Sequence, residues 1–154
     1  MTKHSEYARD LFLQGYNCAQ AVMCAFCDVT KMDIDDAARA ASSFGGGLGR
    51  LREVCGGVSS AALILGIVKG YSDPKDTDAK KQHYRLVREL ADRFQSENGS
   101  IICRELLRGI NVESGGDPEE RTAEYYRTRP CPSLVWSAAR ILDEMLSPED
   151  GSPI

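Results

Sequence analysis

Histidine is almost missing: the 154 residues hold only His4 and His83. A Ser/His/Asp hydrolase needs an imidazole base beside its nucleophile. His83 falls in a charged helical segment, where it reads as a solvated or partly packed side chain, so that chemistry is not indicated. Proline is scarce, at six residues, and a chain that is 42% hydrophobic and 27% charged is neither a disordered tail nor collagen-like nor of low complexity. No apolar run reaches the roughly 20 residues that span a bilayer. The longest, Val54 to Val68, covers about 15 residues and is interrupted by glycine and serine. The first residues, MTKHSEYARDLFLQGYN, lack the apolar core and small-residue cleavage site of a secretory signal, so the expected location is the cytoplasm. A basic excess is missing too. Nineteen Lys and Arg against 23 Asp and Glu give a net charge of −4. General nucleic-acid binding rests on neutralising phosphates and is not expected.

Sustained apolar–polar alternation of period two is absent, and helical spacing recurs instead. The spacing predicts a helix over 3–14, with Tyr7, Leu11 and Phe12 on one face. A second runs from the Asn17 cap to about Asp28. A third covers 33–43, starting at Asp33. The segment from Cys55 to Lys69 is apolar almost all round, which places it at the centre of a bundle. Asp73-Pro74 reads as a cap followed by proline in the first turn, opening a helix to about Glu97. Its stripe is Tyr84, Val87, Leu90, Ala91 and Phe94, and Glu89 pairs with Arg93 across one turn. A short helix follows over 101–108. Residues 110–129 are polar and glycine-rich, with a short helix expected after Asp117-Pro118 and the greatest exposure and mobility in the chain. Pro132 opens the last helix, with Leu134, Val135, Ala138, Ile141, Leu142 and Met145 facing inward. The expected fold is all-α: one domain, 1–154, formed by a compact bundle of about five to seven helices around the apolar helix at 55–69.

What the chain does have is six cysteines. In a reducing compartment these are metal ligands, redox groups or core residues more often than structural disulfides. Cys18, Cys55, Cys103 and Cys131 all fall at predicted helix starts. Unpaired N–H groups and the positive end of the helix dipole stabilise a thiolate there, and they suit iron–sulfur ligation equally. Arg50, Arg52, Arg104 and Arg129 lie nearby in sequence. Cys24 and Cys27 form a CxxC late in a helix, followed by Asp28, without the strand of a thioredoxin motif or the histidine of a haem-attachment site. They read as core. Gly45-Gly46-Gly47-Leu48-Gly49 has no Lys-Ser/Thr after it and no strand before it, so it is not a P-loop. It reads as a tight loop that delivers Cys55 to the centre.

Five segments together resemble one known family. They are Gly15-Tyr-Asn-Cys-Ala-Gln-Ala-Val22, Phe44-Gly-Gly-Gly-Leu-Gly-Arg50, Glu53-Val-Cys-Gly-Gly57, Cys103-Arg-Glu-Leu-Leu107 and Arg129-Pro-Cys-Pro132. The chain resembles, from about 5 to 146, the redox-active protein family named for the C_GCAxxG_C_C cysteine pattern. Its characteristic cysteines carry over to Cys18, Cys55, Cys103 and Cys131. Where the family reads Cys-Gly-Ala-x-x-Gly, this chain has Gly57 and Ser60 in place of the alanine and the second glycine, both small-for-small changes. The family is similar to the iron–sulfur part of split-Soret-type cytochromes, which implies a 2Fe–2S cofactor, although no haem motif is present.

Four readings of the site follow. In the first, Cys18, Cys55, Cys103 and Cys131 hold an iron–sulfur cluster for electron transfer with a partner redox protein. In the second, the same residues act as thiol–disulfide groups without metal, with Cys18 and Cys55 as the catalytic pair. Structural zinc is a third, weakened by the wide spacings of 37, 48 and 28 residues. The fourth is a non-catalytic binding module with buried cysteines. In the redox readings Gly45, Gly46, Gly47, Gly49 and Gly56 shape the site around the cofactor. A homodimer is a further expectation.

Overall fold

The computed structural model describes residues 3–110 and 112–147. Four of its helices begin at a side chain that caps their free N–H groups: Asn17, Asp33, Asp76 and Thr122. Helix α1 spans Lys3–Leu13 and α2 spans Cys18–Ala25. Asn17 caps α2 by accepting from the Gln20 N–H at 2.8 Å, and the Gln20 side chain accepts from the Asn17 N–H at 3.1 Å. The chain breaks at Phe26 and restarts as a single turn, α3 (Cys27–Thr30). The expected helix to Asp28 is therefore two. Phe26 is fully buried beneath the His4 ring, 4.2 Å away, and that packing takes precedence over helix continuity. Asp33 caps α4 (Ile34–Ala41), which passes into one 3₁₀ turn at Ser42–Phe44.

Helix α5 is Gly56–Lys69 and α6 is Thr77–Asn98. The cap of α6 is Asp76, which accepts from the Ala79 N–H at 3.0 Å. Asp73 instead caps the preceding turn through the Lys75 N–H, so the expected start at Asp73-Pro74 lies about one turn early. Gly99, in the left-handed region, ends α6. The single turn α7 (Cys103–Leu106), then α8 (Ala123–Thr128) and α9 (Cys131–Leu146) complete the described chain. The short helix expected after Pro118 forms later, at α8, under a Thr122 cap. Of the nine α-helices among the described residues, α3, α7 and α8 are short, and the other six form the all-α bundle.

One hydrophobic core runs through the bundle. Helix α2 is its most completely covered element: Ala19, Ala21, Val22 and Met23 are wholly buried. It packs against α1, α4, α5 and α9. Helix α5 packs on α2, α6 and α9, yet leaves Leu63, Ile67 and Val68 exposed, so its apolar circumference is only partly inside. The inner face of α9 is as expected, apart from half-buried Met145. On α6 only Leu90 and Phe94 are buried, because its first half projects beyond the core and leaves Tyr84 at the surface. No described helix is long and apolar enough to cross a membrane.

Candidate functional site: a four-cysteine cavity

The loop between α4 and α5 positions the site. Five consecutive residues, Gly46 to Arg50, adopt positive φ, and Arg52 does so as well. Three of these are not glycine: Leu48, Arg50 and Arg52. Each left-handed non-glycine residue costs about 1–2 kcal/mol, so the conformation must be held by compensating bonds. Two bonds across the loop and one from a distant segment hold it. Arg52 and Glu53 donate N–H bonds back to the Gly46 and Gly47 carbonyls, at 3.0 and 2.9 Å, and Gly115 N–H donates to the Arg50 carbonyl at 2.7 Å.

The chain then pairs antiparallel with residues 101–104. Val54 and Ile102 form an isolated bridge. Cys55 N–H donates to Ile101 at 2.8 Å, and Cys103 N–H donates to Glu53 at 2.6 Å. This pairing clamps Cys55, the N-cap residue of α5, beside Cys103, the first residue of α7. Cys18 opens α2 and Cys131 opens α9. The four cysteines come from four elements and line one cavity of about 60 Å³. Close approach is built into two glycines. A Cβ at Gly56 would lie 2.6 Å from the Cys18 sulfur and 2.7 Å from the Phe44 carbonyl oxygen. One at Gly47 would lie 2.7 Å from the Cys103 Cβ. Gly46 also faces the cavity, whereas Gly45 and Gly49 line the adjoining cleft.

All six cysteines are free thiols. The helix-start positions of Cys55, Cys103 and Cys131 predict lowered pKa values, and burial reverses that at each. Burial pushes the Cys55 thiol far up, and the nearby Cys18 adds to it; the Val58 and Gly57 N–H groups oppose the rise without overcoming it. Burial pushes Cys131 up to about 12. Burial also raises Cys103, against the Arg52 side chain, whose Nη1 donates to the sulfur at 3.8 Å. Desolvation in the closed cavity outweighs the local field of the helix ends.

Three further groups close the cavity, and all come from the segment expected to be the most exposed. Tyr125 stands on α8, with the Arg121 and Arg129 guanidinium groups over its ring at 4.9 and 4.8 Å. Arg129 is buried. Arg121 and Tyr125 escaped the sequence reading; the alternation of arginine and tyrosine over 121–129 is the one signal that marks them. Of the four arginines singled out by sequence, Arg52 and Arg129 face the sulfurs, and Arg50 lines the neighbouring cleft. Arg104 turns away and pairs with Glu53 at 2.7 Å.

Cys24 and Cys27 lie apart from this cavity. The break at Phe26 separates them, so the CxxC straddles two helices. Cys24 is buried, its sulfur 3.7 Å from the Ile34 carbonyl, and burial pushes its pKa to about 11. Among the described residues, no three His, Cys, Asp or Glu side chains are arranged to hold a metal ion. The two departures from the family pattern fit their surroundings. A Cβ at Gly57 would make ordinary contact with Ala138, at 3.5 Å. The Ser60 hydroxyl donates to the Ala19 carbonyl at 2.6 Å and ties α5 to α2.

No curated protein and no solved structure matches the chain. A family does: residues 16–145, which contain all four cavity cysteines, match the family described as "Putative redox-active protein (C_GCAxxG_C_C)", and the chain belongs to it.

Proposed function

We propose that Cys18, Cys55, Cys103 and Cys131 form the redox centre of this protein and hold an iron–sulfur cluster of the 2Fe–2S type for electron transfer with a partner redox protein. The observation that carries this reading is the shared cavity: four cysteines separated by up to 113 residues line it together, while the CxxC pair does not. The donor set suits such a group, because Fe–S clusters are held by cysteine thiolates. Arg52, Arg121 and Arg129 border the same cavity and would offset the negative charge of four thiolates. The bound cluster would supply one-electron redox chemistry. The chain would supply four sulfurs, N–H groups of Gly57 and Val58 at Cys55, and a lid of Tyr125 that limits water. Structural zinc is disfavoured by the dispersal of the four cysteines, which lie 37, 48 and 28 residues apart in sequence, whereas such sites use tightly spaced pairs.

The relation between Cys55 and Cys18 favours a second reading. Both line the same cavity, and the Cys18 sulfur lies against Gly56, the residue next to Cys55 in the chain. In this reading the two thiols join as a disulfide, releasing two protons and passing two electrons to an external disulfide, which leaves as two thiols.

Anaerobic purification with iron and acid-labile sulfide analysis tests the first reading. The protein should carry iron, sulfide and visible absorption. Cys18→Ser and Cys131→Ser should lose them, whereas Cys24→Ser and Cys27→Ser should keep them. A colourless, iron-free protein with a reversible Cys18–Cys55 disulfide overturns the cluster in favour of the dithiol.

A further inference from the structure

A second cleft, of about 260 Å³, opens beside the cysteine cavity and shares Arg52, Arg121 and Arg129 with it. Arg50 completes a set of four guanidinium groups, and Glu119 is the one carboxylate lining the cleft with them. The Glu119 carboxylate lies 2.5 Å from Arg129, 3.6 Å from Arg50 and 3.8 Å from Arg52. Arg121 has no carboxylate partner among the described residues; it donates to the Phe12 and Tyr16 carbonyls, at 3.2 and 3.1 Å. Four positive charges against one carboxylate give the cleft lining net +3 in the metal-free protein, in a chain whose overall charge is −4; of the four, Arg50 is the one that does not also border the cysteine cavity. The Arg50, Arg52 and Arg129 side chains are only 11%, 8% and 4% exposed, against 39% for Glu119. Guanidinium groups this far from solvent call for partners: Arg52 donates its Nε to the Glu113 carbonyl at 2.9 Å and its Nη1 to the Cys103 sulfur, and a single, more exposed carboxylate is the ionic partner of Arg50, Arg52 and Arg129 together. Glu119 also sits on the connection between α7 and α8, outside any helix.

We propose that this cleft is a binding site for a carboxylate-bearing small molecule, whose carboxylate takes the place that Glu119 occupies among the arginines. The binding stands on the arginine cluster alone; that the bound acid is a reactant or effector of the adjoining cysteines rests on the redox reading above. Carboxylate is the favoured oxyanion because the seat already holds one, in contact with planar guanidinium groups that match its geometry.

Thermal-shift and calorimetric titrations with succinate, at constant ionic strength set by sodium chloride, test the site. Succinate should raise the melting temperature of the wild type in a saturable way. Glu119→Gln, which removes the internal competitor and keeps an amide for Arg129, should bind about tenfold tighter, and Arg50→Gln about tenfold weaker. The gain in Glu119→Gln cannot arise from misfolding. Binding that is absent, or insensitive to both substitutions, overturns the site. Inorganic phosphate binding more tightly than succinate, with the same dependence on the variants, overturns the carboxylate assignment. Cys18→Ser separates the two proposals: it should abolish the visible cluster absorption and leave succinate binding intact. Saturable succinate binding by a protein that never carries iron would retain the anion site and remove the cluster.

Discussion

The Arg52 guanidinium donates to the Cys103 sulfur across 3.8 Å, with both residues buried. It is the one arginine bond to a cavity sulfur among the described residues, and it opposes the burial that raises the Cys103 pKa. Arg52→Gln removes the positive charge and keeps a polar side chain. Alkylation at Cys103, mapped by mass spectrometry across pH, should shift to higher pH in this variant. An unchanged profile would mean that the contact does not stabilise the thiolate.

Two adjacent glycines should respond oppositely to alanine. Gly56→Ala drives its methyl group to 2.6 Å from the Cys18 sulfur and 2.7 Å from the Phe44 carbonyl oxygen. Overpacking of this kind costs about 1–3 kcal/mol, and chemical denaturation should show it. Gly57→Ala meets nothing closer than 3.5 Å and should leave stability unchanged or raise it by about 0.5–1 kcal/mol, since alanine restricts the unfolded helix segment.

His4 sets a pH dependence of stability. Its Nδ1 lies 2.7 Å from Asp143 and its Nε2 lies 2.9 Å from Asp28, so a carboxylate faces each nitrogen of the ring. The hydrogen bond to Asp143 raises the pKa most, burial opposes it, and the bond to Asp28 raises it further, leaving it above 6.5. The folded pKa exceeds the unfolded one. The contribution is therefore complete below pH 6.5 and is lost as pH rises through the folded value. The melting temperature should therefore fall as the pH is raised from 6.5 through the folded value. The His4→Gln protein should lack that slope.

Loading of the proposed cluster should be pH-dependent in the opposite sense. The Cys131 thiol, pushed up to about 12, is protonated at neutral pH in the metal-free protein, as is Cys55. Ligation requires each thiol to release its proton. Reconstitution with iron and sulfide should quicken as pH rises, and removal by a chelator should quicken as it falls, with the visible absorption as the readout. Rates independent of pH would show that deprotonation of these thiols does not limit assembly.

Much of the helix plan was legible because its signals are local. Asn17 with Gln20, Asp33, and the left-handed Gly99 act within a few residues of themselves. The start of α6 was misplaced because Asp73 and Asp76 are both good caps, and only the surrounding turn selects between them. The break at Phe26 bears no glycine or proline; it reflects burial against His4, from a different helix. Apolar composition marked α5 as central but could not tell which of its faces lacks a neighbour, and Leu63, Ile67 and Val68 are left outside.

By itself the sequence determined an all-α chain and singled out Cys18, Cys55, Cys103 and Cys131, because helix periods, caps and cysteine positions are properties of short segments. Only the tertiary structure decided that these four share a cavity, that burial overrides the helix-end field at three of them, and that Arg121, Glu119 and Tyr125 border the same region. Desolvation and convergence are sums over neighbours distant in sequence, and no local pattern carries them.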